Sequence, residues 1–163
     1  PRLAEFGPRA VRPDARIVVV APDGREVEAV SALERAGFRH VVGVLAGGIG
    51  SMERHPRLIE QSRRLSADEL ARELAGSYPP IVLDVRTAAE HAAGRIPGSI
   101  HVPLEQVADR AGELPAGRRI VAHCGGGYRS SLAASVLRRL GRSDVDDLAG
   151  GYEAWRARRG GSR

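Results

Sequence analysis

The sequence predicts an α/β protein: a three-layer fold with a central parallel sheet, preceded by a partial copy of the same fold. Three observations predict it. Short apolar, β-branched runs alternate with amphipathic stretches, the pattern of parallel strands joined by crossover helices. Helix-start and turn signals separate the runs. A strand–helix–strand stretch near the start also recurs near the end.

Taken in order, residues 16–21 (RIVVVA) read as a short buried strand. Residues 25–36 read as a helix with Val27, Val30, Leu33 and Ala36 on one face, stopped by Gly37. Val41–Leu45 reads as a second strand, Gly47-Gly48 as a turn, and a short helix follows to about Arg54. Residues 54–65 are charged, contain Pro56, and read as a linker running into an edge strand. Ser66 and Glu69 form a capping box that opens a helix to about Ala75. Gly76 and Pro79-Pro80 end it, and Ile81–Val85 is a strand. Thr87 and Glu90 form a second capping box for a short helix to about Ala93. "GRIPGSIHVP" (94–103) reads as a turn and an extended segment, and 104–112 as a helix. Arg119–His123 is a strand, Ser130–Leu140 a helix, Val145–Leu148 a strand and Tyr152–Arg159 a closing helix.

The repeat aligns Arg16–Glu26 with Arg119–Arg129 without gaps, so that Ile17 meets Ile120 and Gly24 meets Gly127. With a one-residue shift Leu33 meets Leu137 and Gly37 meets Gly141, and "LAGGI" (45–49) then meets "LAGGY" (148–152) back in the first register. Ala21 stands in the place of Cys124, and Glu26 in the place of Arg129. The first copy has therefore lost a thiol and reversed a charge. It also lacks a front half, so residues 1–55 either pack on the second domain or belong with an upstream portion.

Composition narrows the function. Hydrophobic residues make up 42% of the 163. There is no run of about 18 apolar residues and no signal-peptide pattern, which leads to the expectation of a cytoplasmic protein away from the membrane. All 25 basic residues are Arg and the net charge is +5, which suits a solvated surface or attraction of small anions. With 4% aromatic residues and no Arg cluster interleaved with stacking side chains, nucleic-acid binding is not expected. A single Cys excludes an intrachain disulfide and a multi-thiolate metal site. Scattered histidines at 91, 101 and 123 make no ligand pattern, so neither metal nor other cofactor is expected.

That one Cys lies in "IVAHCGGGYRSS" (120–131), between a strand and a helix. Loops at the carboxyl ends of parallel strands carry the sites of open α/β sheets. Gly125, Gly126 and Gly127 let successive backbone N–H groups turn inward as an anion-binding nest. The helix N-terminus adds free N–H groups and the positive end of its dipole, with Ser130 as the expected N-cap. A free thiol titrates near about 8.5, and such a setting lowers that value, so Cys124 is expected to be a nucleophilic thiolate. Arg129 either adds charge to the cradle or pairs with an acidic residue; Tyr128 is expected at the entrance.

Residues 66–160 resemble a rhodanese domain, the single-domain sulfurtransferase module. The matching pieces are "IVLDVRTAAEHAAGRIPGSIHVP" (81–103), "IVAHCGGGYRS" (120–130) and "LAGGYEAWRA" (148–157). They are similar to the family's Asp-x-Arg strand end, its Gly-His-Ile-Pro-Gly-Ala turn, its active-site loop and its Gly-Gly-aromatic-x-x-Trp segment. Arg95 and Ser99 depart from the turn, where His and Ala are usual. The organisation expected is a partial inactive rhodanese-like unit at 1–55, a linker and edge strand at 56–65, and the active domain at 66–160. This arrangement is similar to the C-terminal part of proteins that fuse a metallo-β-lactamase-type persulfide dioxygenase to rhodanese domains. No His-x-His-x-Asp-His motif occurs in the chain, so such a domain would lie upstream.

The resemblance implies sulfur transfer from thiosulfate or a low-molecular-weight persulfide to cyanide, sulfite or a thiol, through a persulfide on Cys124. Residues 125–130 would hold the terminal sulfur's charge. Asp84 and Arg86 are expected as scaffold, Asp84 binding loop N–H groups and Arg86 pairing with Glu90. His123 is expected to face away from Cys124, and Gly150, Gly151 and Trp155 to serve turn and core. Two other classes compete. Cysteine phosphatases and arsenate reductases use a related Cys…Arg loop, but with five intervening residues where this chain has four, Gly125 to Tyr128. The last class is a non-catalytic docking module.

Overall fold

The computed structural model describes residues 7–8, 11–12, 14–59 and 62–160. The chain divides between residues 61 and 62 into two units, a division that falls inside the expected linker. No helix among the described residues is long and apolar enough to cross a membrane.

The second unit carries a five-stranded sheet in the order β3-β7-β6-β4-β5. Its strands are β3 (Arg64–Leu65), β4 (Ile81–Asp84), β5 (Ile100–His101), β6 (Ile120–His123) and β7 (Val145–Leu148). Every neighbouring pair is parallel, with Ile81 opposite Ile120 and Asp84 opposite His123 at the centre. β4 and β6 are buried at all four positions because helices cover both faces of the sheet. On one side α2 (Ala67–Leu74) packs against α6 (Gly151–Gly160). Leu70, Val82, Ile96, Val121, Leu148 and Trp155 form the core there. By strand alternation Leu83, Ile120 and Ala122 face the other side, where α5 (Tyr128–Arg139) lies on β6 and β7 and packs against α4 (Val107–Arg110).

The helix starts follow local chemistry. Ser66 accepts from the Glu69 N–H at 3.2 Å while Glu69 Oε2 accepts from Ser66 N at 2.8 Å. Thr87 and Glu90 repeat this at α3 (Ala88–Ala92), as predicted. Two expectations fail. The helix over 104–112 is three short pieces: 3₁₀ turns at Leu104–Gln106 and Ala111–Glu113 flank the single turn of α4. Pro103 before it, with Gly112 and Pro115 at its end, leaves too short a run to propagate an α-helix. The helix expected from Ser130 instead begins at Tyr128, with left-handed Gly127 at the N-cap, so Ser130 is in the first turn rather than capping it.

The first unit contains β1 (Ile17–Val19), α1 (Glu26–Arg35) and β2 (Val41–Val44), followed by 3₁₀ turns at Ile49–Arg54 and Pro56–Leu58. β1 and β2 pair in parallel, and Val19, Ala21, Leu33 and Phe38 form a small core. One backbone detail recurs between the units. Gly48 has φ +54°, and a Cβ there would lie 2.5 Å from the Ala21 carbonyl oxygen. Gly151 has φ +58°, and a Cβ there would lie 2.4 Å from the Cys124 carbonyl oxygen.

Candidate active site

The candidate site lies at the carboxyl end of β6, where the chain leaves His123 and turns through Cys124 and three glycines into α5. Cys124 is 2% exposed. Gly127 N donates to its Sγ at 3.1 Å, from the N-terminus of α5 where the helix dipole is positive. Gly127 has φ +97°, and its left-handed turn delivers that N–H to the sulfur. Ser130 is fully buried beneath; its hydroxyl donates to Gly127 O at 3.2 Å and lies 3.8 Å from Sγ.

A second helix holds the loop from the opposite side. Tyr152 N donates to Cys124 O at 2.7 Å and Glu153 N to Gly125 O at 3.1 Å, both from the first turn of α6. The described peptide bonds are trans. With those two carbonyls pointing at α6, the N–H groups of Gly125 and Gly126 therefore point away from it. The α6 backbone can come this close because Gly151 has no Cβ: one would meet both the Cys124 and Gly125 oxygens at 2.4 Å.

Arg129 combines its two expected roles: it pairs with an acid and it also acts on the Cys124 sulfur. Its Nη1 and Nη2 donate to Glu90 Oε2 and Oε1 at 2.7 and 2.6 Å. The Glu90 hydrogen bond raises the Arg129 pKa, with a smaller contribution from the Cys124 sulfur. Reciprocally, Arg129 first, and then Thr87 against the opposing effect of burial, holds the Glu90 carboxyl down at about 2. Glu90 thus caps α3 and fastens the start of α5 with one carboxylate.

Arg86 does not pair with Glu90. It is 4% exposed and donates from Nη2 to Asp84 Oδ2 at 2.6 Å and to Gly94 O at 2.7 Å. Asp84, two residues earlier, draws it inward, and its guanidinium covers the Tyr152 ring at 4.2 Å from the centroid. Asp84 is a hub: it accepts the N–H of Arg86 in the loop that follows β4, and His91 Nδ1 lies 2.8 Å away. Burial works against its charge, yet the Arg86 hydrogen bond, then His123 and His91, hold its pKa at about 2. His123 is fully buried, its Nε2 3.7 Å from Asp84 and without a hydrogen-bond partner. Burial above all, together with nearby Arg86 and His91, lowers its pKa to about 4. His91 and His101 stack at 4.3 Å, and among the described residues no three His, Cys, Asp or Glu side chains gather to hold a metal.

Of the residues expected at the site, Cys124, Gly125–Gly127, Arg129 and Ser130 come together, and Tyr128 stands half-buried as the first residue of α5. Asp84 and Arg86 lie one strand away and reach the loop through Tyr152. The sequence reading missed Glu90 as the partner of Arg129, and Gly151 and Glu153 as contacts of the loop. The Glu90 capping box and the Gly-Gly before a helix were visible, but their tertiary partners were not.

Residues 66–158 match the family model of the rhodanese-like domain, and the chain belongs to that family. A sulfurtransferase of Allochromatium vinosum is 35% identical over 91 residues, 56% of this chain and 85% of that protein. The thiosulfate sulfurtransferase GlpE of Pseudomonas putida is 41% identical over 91 residues, 55% of this chain and 81% of that protein. The human single-domain sulfurtransferase TSTD1 superposes with a TM-score of 0.53 at 27% identity, covering 60% of this chain and 97% of that one.

Proposed function

We propose that this protein is a rhodanese-type sulfurtransferase that carries sulfane sulfur on Cys124. The observation that supports this most is the environment of Sγ: a buried sulfur facing the Gly127 N–H at 3.1 Å at a helix N-terminus. Donors fixed in place before reaction stabilise negative charge that develops on sulfur. The sulfurtransferase relatives support the same reading.

In the first half-reaction the Cys124 thiolate attacks the outer sulfur of the donor. With thiosulfate a new S–S bond forms to Cys124, the old S–S bond breaks, and sulfite leaves with the bonding pair. With an organic persulfide, RSSH, the thiolate RS⁻ leaves. The cradle then holds a Cys124 persulfide. In the second half-reaction cyanide, sulfite or a thiolate attacks the terminal sulfur, and the Cys124 thiolate is regenerated. No net redox change is required. Arg129 holds Glu90 with both terminal nitrogens, which positions α5 against α3, and its charge also acts on Cys124. A cysteine phosphatase needs an arginine turned to its oxyanion; here both terminal nitrogens meet a carboxylate, which favours sulfur transfer.

We read residues 1–55 as a degenerate, thiol-free copy of part of the same fold, supported by the matching close approaches of Gly48 to Ala21 and of Gly151 to Cys124. An upstream metallo-β-lactamase-type domain belongs to this proposal. Steady-state kinetics with thiosulfate and cyanide test the enzymatic reading. Parallel double-reciprocal lines, and turnover lost in Cys124→Ser at unchanged Tm, are expected. Turnover retained in Cys124→Ser, or hydrolysis of para-nitrophenyl phosphate without sulfur transfer, would refute it.

A further inference from the structure

The charges beside the cysteine loop do not suit a small dianion. A Cβ built on Gly125 would have three charged atoms near it: Arg129 Nη2 at 3.4 Å, and Glu153 Oε1 and Glu90 Oε1 both at 3.8 Å. One built on Gly126 would meet Glu153 Oε2 at 3.9 Å. Arg129 is neutralised by Glu90 through two short hydrogen bonds. On the far side, Arg64 Nη2 would lie 3.2 Å from a Cβ on Gly127, and it is paired with Asp147 at 3.1 Å. These charges sum to one negative charge, and it belongs to Glu153. The first turn of α6 holds it there, because Glu153 N is hydrogen-bonded to Gly125 O. Glu153 is exposed, and its carboxylate oxygens lie beside the Gly125–Gly126 edge of the loop.

We infer that Glu153 is a specificity-determining residue that turns the site away from thiosulfate and toward organic persulfides. The inference rests on the sulfurtransferase reading. Thiosulfate carries its sulfonate oxygens bonded directly to the sulfur that donates, so its two negative charges must come up to Gly125 and Gly126. An organic persulfide reacts as RSSH, uncharged at the outer sulfur, with its ionised groups several bonds away. At the water-like dielectric of a fully solvated approach, a carboxylate about 6 Å from a dianion slows it by about tenfold. The same carboxylate leaves an uncharged RSSH terminus nearly unaffected.

The experiment compares Glu153→Gln with the wild-type chain, using thiosulfate and glutathione persulfide as donors and following the sulfur gained by Cys124 by intact mass. Glu153→Gln is expected to raise the second-order rate with thiosulfate by about tenfold and to change the rate with glutathione persulfide by less than about twofold. An equal change with both donors, or none with thiosulfate, overturns the inference while leaving sulfur transfer standing. No sulfur on Cys124 from either donor overturns both. Alkylation separates the field from the chemistry. The iodoacetamide-to-iodoacetate rate ratio at Cys124 should fall about threefold in Glu153→Gln, because iodoacetate carries half the charge of thiosulfate; an unchanged ratio means that Glu153 exerts no charge on the sulfur.

Discussion

A side chain on Gly151 has nowhere to go. Its φ of +58° already disfavours a Cβ, and that Cβ would lie 2.4 Å from two loop oxygens. Gly151→Ala is therefore expected to lower stability by about 1–3 kcal/mol through strain at a left-handed position. It also pushes the Cys124–Gly125 segment off α6, so Cys124 should lose reactivity out of proportion to the fall in Tm. Thermal melting and alkylation kinetics at Cys124 check this; a variant with wild-type values for both would show that the loop does not depend on this contact. Residue-scale chemistry was largely legible where it is local. The Cys-Gly-Gly-Gly run marked the loop in which the Gly127 N–H meets the sulfur, and both capping boxes formed as read. Pairings between distant residues were not legible. Arg129 finds Glu90 across 39 positions of sequence, and only the fold brings them within 2.6 Å. Ser130 was misread as a cap because it sits near a helix start and carries a hydroxyl; the left-handed Gly127 took that position instead.

Among the elements, β6 links the loop to the buried charges of β4. His123 at its end is buried and neutral beside Asp84, with a folded pKa of about 4 against 6.5 for the free side chain. Its pKa is depressed, so the unfolded chain binds the proton first as pH falls. Its stabilising contribution is complete above pH 6.5 and is lost as pH drops toward 4, by on the order of 3 kcal/mol. Denaturant titrations at about pH 7.5 and about pH 4.5 should show this loss in the wild-type chain and a smaller one in His123→Gln. An equal loss in both would place the pH sensitivity elsewhere. The strands and long helices matched their sequence pattern to within a few residues, since fully apolar runs and capping boxes specify both kind and start. The stretch over 104–112 did not, because a brief apolar pattern between prolines fits an α-helix and a chain of 3₁₀ turns equally well.

For the molecule as a whole, the second unit itself supplies contacts that hold the cysteine loop: α3 through Glu90, α6 through Tyr152 and Glu153, and β3 through Arg64. The chain from Ser62 onward is therefore expected to fold alone and to accept sulfur at a rate within about threefold of the full chain, a difference well under 1.4 kcal/mol in barrier height. Loss of cooperative melting in that fragment would contradict the independence of its core. The parallel sheet and its helices were legible as a class, because alternating strand and helix patterns permit few other layouts. The division after residue 61 was placed only to within the linker, whose charged sequence marks a boundary region rather than a point.

The central claim is that Cys124 carries the sulfur, and intact-protein mass spectrometry tests it most directly. After exposure to thiosulfate or glutathione persulfide, and removal of the donor, the chain should gain the mass of one sulfur atom. Peptide mapping should place that sulfur on Cys124, and cyanide should remove it as thiocyanate. A chain that stays at its original mass with both donors, while Cys124 remains free to alkylate, would contradict the account.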